Sequence, residues 1–283
     1  MLFADAHCHS NPVSGIGATK IARKFKAKGG WFIALIGLPP YHYGIEPNSI
    51  DDYIKAYNIV ISEAKKITRE GLKNIVLVGF HPAEIDEHYR RGRSIKEIID
   101  FGFKIIDTIA ELYEKGLVDG IGEVGRQHYS TAPERFIASQ VIMEYALEVA
   151  KDHGMIVHLH LEQGGYATVL SMKNLFKRLS MPPNKVFLHH IGKNEALWID
   201  RYGLWGTIPG KYKTLKSVLE FKPKNILVES DFIDDPKRPG VSSYPWDIVE
   251  NQLRLLNEGF IDEEYLFKIN VDNIVKAYNV SPP

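Results

Sequence analysis

The chain has 283 residues, 45% of them hydrophobic and 25% charged, with Lys+Arg and Asp+Glu both at 35 and a formal net charge of zero. That apolar content suffices for a full core and excludes a disordered chain, and the charge balance argues against a protein whose main task is to coat nucleic acid or an anionic membrane. One cysteine, Cys8, leaves no internal disulfide; no signal-peptide pattern opens the sequence and no apolar run nears the roughly 20 residues of a membrane span, so a cytoplasmic location is expected.

In chain order, short apolar runs alternate with longer amphipathic segments. Leu2–Ala6, Trp31–Ile36, Asn74–Gly79, Val118–Val124, Met155–His160, Lys185–His190, Leu204–Ile208 and Asn225–Glu229 read as strands buried on both faces. The basic stretch Lys20–Lys28, after the first strand, reads as a solvated helical face. "LPPYHYG" (Leu38–Gly44), after the second, reads as a loop able to wall a pocket. Residues 49–70 place Ile50, Ile54, Tyr57, Val60, Ile61, Ala64 and Ile67 at helical spacing, with Gly71 as the stop. Ser94–Glu97 and Thr131–Glu134 match the capping-box pattern, and Gly116 and Gly154 mark the ends of the helices that follow. Eight strand–helix units in a chain of this length predict an α/β fold, a closed (β/α)8 TIM barrel forming a single domain over residues 1–283.

Barrel active sites are built at the carboxyl ends of the strands. Those ends hold Asp5, His7 and His9 on strand one, His81 after strand three, Glu123 on strand four, His158 and His160 on strand five, His189 and His190 on strand six, and Glu229 and Asp231 on strand eight. Counting His128 in "IGEVGRQH", eight of the eleven histidines fall there. Imidazole and carboxylate without thiolate suit one or two divalent ions, Zn, Mn, Ni, Fe or Mg. His7 and His9, two apart on a strand, project side by side. With Glu123, one of His158/His160, one of His189/His190, and Asp231 they make six candidate ligands, more than one tetrahedral ion takes. Two ions bridged by Glu123 are therefore expected, about 3.5–4 Å apart. Asp5 is read as an acceptor ordering a ligand histidine, Glu229 as a structural group pointing out toward the helices, and His81 and Lys211 as substrate contacts.

Taken together and in order, "DAHCHS", "VGFHP", "IGEVG", "IVH", "LHH", "ESD" and "NIVKAY" resemble the TatD-related metal-dependent hydrolases from end to end. The resemblance implies a TIM barrel and assigns His7, His9, Glu123, His158 and Asp231 as ligands or catalytic groups. Where the deoxyribonuclease branch has Arg two residues after the strand-five histidine, this chain has His160. "HHIGKN" also departs from that branch, and "GTIPGKY" (Gly206–Tyr212) looks more like an archaeal side branch. Strand alternation allows only one of His189 and His190 to face inward, and matching the archaeal branch selects His190.

The expected activity is hydrolysis by metal-activated water, with Asp231 as ligand and proton acceptor and Glu123 as the second catalytic carboxylate. The favoured substrate is a small phosphodiester or a nucleic-acid end, cut by a phosphodiesterase or deoxyribonuclease. An amidohydrolase or lactonase acting on a small cyclic amide or ester is the alternative.

Overall fold

A computed structural model describes residues 1–237 and 243–283. Eight parallel strands pair in sequence order: β1 (Phe3–Cys8), β2 (Gly30–Ile36), β3 (Lys73–Val78), β4 (Gly120–Gly125), β5 (Ile156–His160), β6 (Val186–Leu188), β7 (Trp205–Pro209) and β8 (Ile226–Glu229). Backbone bonds tie β8 back to β1: Asp231 N donates to His7 O and His9 N donates to Phe232 O, each at 2.9 Å. With helices between the strands, this is the expected (β/α)8 barrel.

Alternation sorts each strand between two cores. On β2, Ile33 and Leu35 pack outward against the helices, while Phe32, Ala34 and Ile36 face the barrel interior. Ala4, Ala6, Phe187, Trp205 and Leu227 join that inner layer, and Tyr278, from the last helix (Asn273–Tyr278), stacks on Phe32 with centroids 5.1 Å apart. This apolar floor fills the end where the strands begin. Inward positions further along each strand are left for polar side chains at the open end.

The strands fall within a few residues of their predicted positions. β6 is the consequential difference, because it ends at Leu188 and leaves both His189 and His190 beyond it. The predicted helix over 49–70 spans Ile50–Arg69, with a capping box between Ser49 and Asp52, and Ser94–Glu97 caps Ile95–Glu114 as expected. Thr131–Glu134 does not form its box. That helix starts at Pro133 with Ala132 before it, and the Thr131 hydroxyl donates instead to Asp86 at 2.7 Å. Among the described residues no helix is long and apolar enough to cross a membrane.

Two glycines permit close backbone approach at the open end. A Cβ on Gly79 would lie 2.2 Å from the Glu123 carbonyl oxygen, and one on Gly125 would lie 1.9 Å from that of His160. Gly79→Ala is therefore expected to lower stability by about 1–3 kcal/mol, the usual cost of overpacking. An unchanged urea midpoint for that variant would show that β3 and β4 can separate without loss.

Candidate metal centre

The inward residues at the strand ends converge on Glu123, which β4 carries into the middle of the barrel mouth. His160 Nδ1 lies 2.9 Å from Glu123 Oε1, and His189 Nε2 lies 3.5 Å from the same oxygen. Around Oε2 stand the Nε2 atoms of His7 at 3.8 Å and of His9 and His81 at 3.9 Å. Asp231 Oδ1 closes the ring, 3.7 Å from His9 Nε2 and 3.6 Å from His189 Nε2.

Separations of 3.5–3.9 Å are too long for hydrogen bonds. Between His7, His9, His189 and the two carboxylates they match the edge between two ligands that each stand about 2.0–2.2 Å from a shared cation. His7 Nε2 supplies a second test of fit, being buried without a hydrogen-bond partner. A bare nitrogen facing a carboxylate across that gap suits a cation between them. The donor sets His7/His9/Asp231, His7/Glu123/His189, His81/Glu123/His160, His189/His190/Asp231 and His128/His160/His190 each bring their ligand atoms within 4.8 Å of one another. These overlapping sets form a continuous arc about Glu123, a chemistry that fits one or two divalent ions.

The second nitrogen of several imidazoles is fixed from behind, as metal-binding histidines require. His9 Nδ1 donates to Ile36 O at 3.0 Å, and His189 Nδ1 meets Glu229 Oε2 at 2.7 Å. Despite burial, their imidazole neighbours hold the Glu123 and Asp231 carboxyls well below the usual carboxylate range. Burial and the adjacent His189 hold His7 well below its ordinary value, and burial with neighbouring His160 brings His81 down to about 3. Despite burial, the neighbouring carboxylates push His9 and His189 the other way, above the ordinary imidazole value, so two carboxylates share one space with imidazoles shifted in both directions.

Several expectations need correction. Glu229 does not point toward the helices: it shares parity with Leu227 in the inner layer and with Asp231, is fully buried, and holds His189. Asp5 accepts from the backbone N–H of His7 at 3.2 Å and of Ser230 at 2.8 Å, so it orders the chain carrying the ligands and touches no imidazole. Its carboxyl is pushed up to about 7 by burial. His190 is not the strand-six residue that faces Glu123; His189 is. Yet both reach the mouth, because beyond β6 alternation no longer applies. His190 adopts φ +43° and turns its ring to within 4.2 Å of His189 and 4.7 Å of His160, centroid to centroid.

On β5, His160 meets Glu123, whereas His158 lies one layer deeper, with Nδ1 at 3.1 Å from His7 Nδ1 and Nε2 at 3.0 Å from the Tyr278 hydroxyl. Lys211 is exposed at the start of the helix Tyr212–Leu219 and is not among the described residues that line the cavity. His81 does line the cavity while its Nδ1 accepts from Ala83 N–H, capping the next helix.

His128 was missed by sequence reasoning as a site residue. It lies past the end of β4, where strand parity says nothing, and its Nδ1 touches His160 Nε2. Asp86 pins its loop, accepting from Gln127, Tyr129 and Thr131 and pairing with Arg135 at 3.0 Å. The cavity above the centre measures about 420 Å³. Leu38, Pro39, Tyr41 and His42 form one wall, as the Pro/Tyr-rich loop suggested, and Tyr129 and Ile233 also line it.

A profile for the family described as "TatD related DNase" matches residues 4–279. An uncharacterised protein of Methanocaldococcus jannaschii is 31% identical over 282 residues, covering 98% of this chain and 95% of that protein. A TatD-like protein from Archaeoglobus fulgidus superposes with a TM-score of 0.67 at 15% identity, over 98% of this chain and 100% of that one. The organophosphorus hydrolase of Deinococcus radiodurans gives 0.65 at 15% identity, over 98% and 92%. At that identity the two structures speak to the fold alone.

Proposed function

The chain belongs to the TatD related DNase family, and we propose that it is a metal-dependent phosphoester hydrolase acting on a small phosphodiester or the end of a nucleic acid. The observation that carries this reading is the ring of imidazoles and Asp231 around the buried Glu123 carboxylate. A bound divalent cation lowers the pKa of a water and polarises the bond to be cut.

The protein's own groups do the rest. Glu123, 7% exposed, anchors the floor, while the Asp231 side chain is 24% exposed and meets the cavity, which supports Asp231 as the acceptor of the attacking water's proton. His81, His128 and His190 line the cavity, and His81, whose Nδ1 accepts from Ala83 N–H, keeps its proton on Nε2 and would donate it to an oxygen of a bound ester. A volume of about 420 Å³ suits a terminal nucleotide or small diester.

A second reading, hydrolysis of a small uncharged cyclic ester or amide, is favoured by one feature. Among the described residues neither Lys nor Arg lines the cavity, whose wall is largely aromatic and apolar. A panel of bis(p-nitrophenyl) phosphate, linear single-stranded DNA, closed circular DNA and a lactone, each with and without chelator, separates the two. The expected result is chelator-sensitive release of nucleotides from ends, intact closed circles and a shallow salt dependence, because few phosphates are neutralised. Turnover of the lactone alone would select the second reading, and rapid nicking of closed circles would contradict the small, end-directed site.

A further inference from the structure

We propose that His158 and Tyr278 are positioning residues that fix His7 in the tautomer carrying its proton on Nδ1, so that a bare Nε2 faces Glu123. The proposal rests on the reading that the centre holds a divalent cation, although its first measurement does not.

The argument is one of hydrogen-bond satisfaction. His7 and His158 are both fully buried, and their Nδ1 atoms stand 3.1 Å apart, so one must donate and the other accept. His158 Nε2 lies 3.0 Å from the Tyr278 oxygen, and the Tyr278 hydroxyl donates to Ala6 O at 3.4 Å. If His7 Nδ1–H donates to His158 Nδ1, then His158 Nε2–H donates to Tyr278, and the tyrosine hydrogen remains on Ala6 O. Every donor in the chain is then used. His7 Nε2 carries only a lone pair, in keeping with its having no hydrogen-bond partner, 3.8 Å from Glu123 Oε2.

The opposite direction fails at both ends. His158 Nδ1–H would donate to His7, and the Tyr278 hydrogen would turn to His158 and abandon Ala6 O. His7 would then carry a buried N–H on Nε2 with nothing within hydrogen-bond range, and that N–H would occupy the lone pair a cation needs.

His158 is thereby engaged at both nitrogens and cannot itself be a ligand without breaking the relay. His160, one inward position further along β5, hydrogen-bonds Glu123 Oε1 at 2.9 Å through Nδ1 and touches His128 through Nε2, at the open centre rather than beneath it; it belongs to two of the donor sets, while His158 belongs to none among the described residues. The relay also gives a use to Tyr278, at the end of the closing "NIVKAY" segment. From the apolar floor its hydroxyl reaches up to the polar layer, while its ring stacks on Phe32.

The first test is nitrogen-15 NMR of histidine-labelled, metal-free wild-type protein, which reports which ring nitrogen carries each proton. His7 protonated on Nδ1 and His158 on Nε2 is the expected result; His7 protonated on Nε2 would overturn the relay. The second test is zinc-binding stoichiometry and affinity of the full chain. His158→Leu should weaken zinc binding by about 10–100-fold, as loss of an outer hydrogen-bond partner does. His158→Asn, whose amide oxygen can replace Nδ1 as acceptor, should restore most of it. Tyr278→Phe keeps the stacked ring and should let His158 populate both tautomers, so the relay stays testable if the His158 variants do not fold.

Unchanged affinity in His158→Leu, with only a lower melting temperature, would reduce His158 to a structural role and overturn the proposal. Loss of a bound zinc in His158→Asn with wild-type stoichiometry in His160→Asn would return the ligand role to His158 and would overturn it equally. A wild-type chain that binds no zinc would instead refute the metal reading, and the tautomer measurement would still decide the relay.

Discussion

Replacing His7 and His9 together by alanine is expected to strip at least one divalent ion from the centre and to abolish metal-dependent hydrolysis. The two imidazoles stand side by side on β1, with centroids 5.0 Å apart, and both Nε2 atoms face Glu123 Oε2. His9 also faces Asp231. Without them the donor sets that include Asp231 among the described residues reduce to the one with His189 and His190, and water competes easily for the vacated positions. The substitutions remove buried imidazoles from a polar layer above the apolar floor, so the helices and strands should persist. Elemental analysis of the purified variant checks the metal and circular dichroism the fold. A metal content equal to wild type would show that "DAHCHS" is not a ligand pair.

Asp231→Asn should lower kcat by about 10²–10⁴-fold, the usual contribution of a general base, while changing KM by only a few-fold. The backbone there has φ +50°, a left-handed conformation that asparagine tolerates as well as aspartate. The Asp231 N–H to His7 O bond that helps close the barrel also survives the change. What disappears is the charge and the ability to accept a proton, since His189 and His9 keep this carboxyl ionised. Steady-state kinetics on bis(p-nitrophenyl) phosphate measures the effect. Turnover within a few-fold of wild type would remove Asp231 from the proton-accepting role.

Much of the barrel was legible because buried parallel strands are written as short apolar runs, and eight of them recur between amphipathic segments. His7, His9, Glu123 and Asp231 were legible for a related reason: a titratable residue at the end of an apolar strand needs a partner, and the fold directs all such ends to one face. Depth was not legible. His158 and His160 share a face of β5, and parity cannot tell which meets Glu123 and which meets Tyr278 one layer below.

Local irregularity hid the rest. Strand six stops two residues early, so the rule that only one of His189 and His190 faces inward lost its premise. His128 lies on a loop whose course is set by Asp86, a residue from the helix Pro82–Arg90 far away in sequence. Following strand seven puts Lys211 on the same face as the site, but strand order does not say which loops wall the cavity; among the described residues these are the loops after strands two, three, four and eight.

The most direct test of the metal centre is anomalous scattering at the zinc edge from a crystal of the full chain equilibrated with zinc. One or two peaks are expected in the cavity floor, about 2.0–2.2 Å from Glu123, Asp231 and the Nε2 atoms of His7 and His9. A cavity without any peak in a crystal whose His7, His9, Glu123 and Asp231 side chains are well ordered would contradict it.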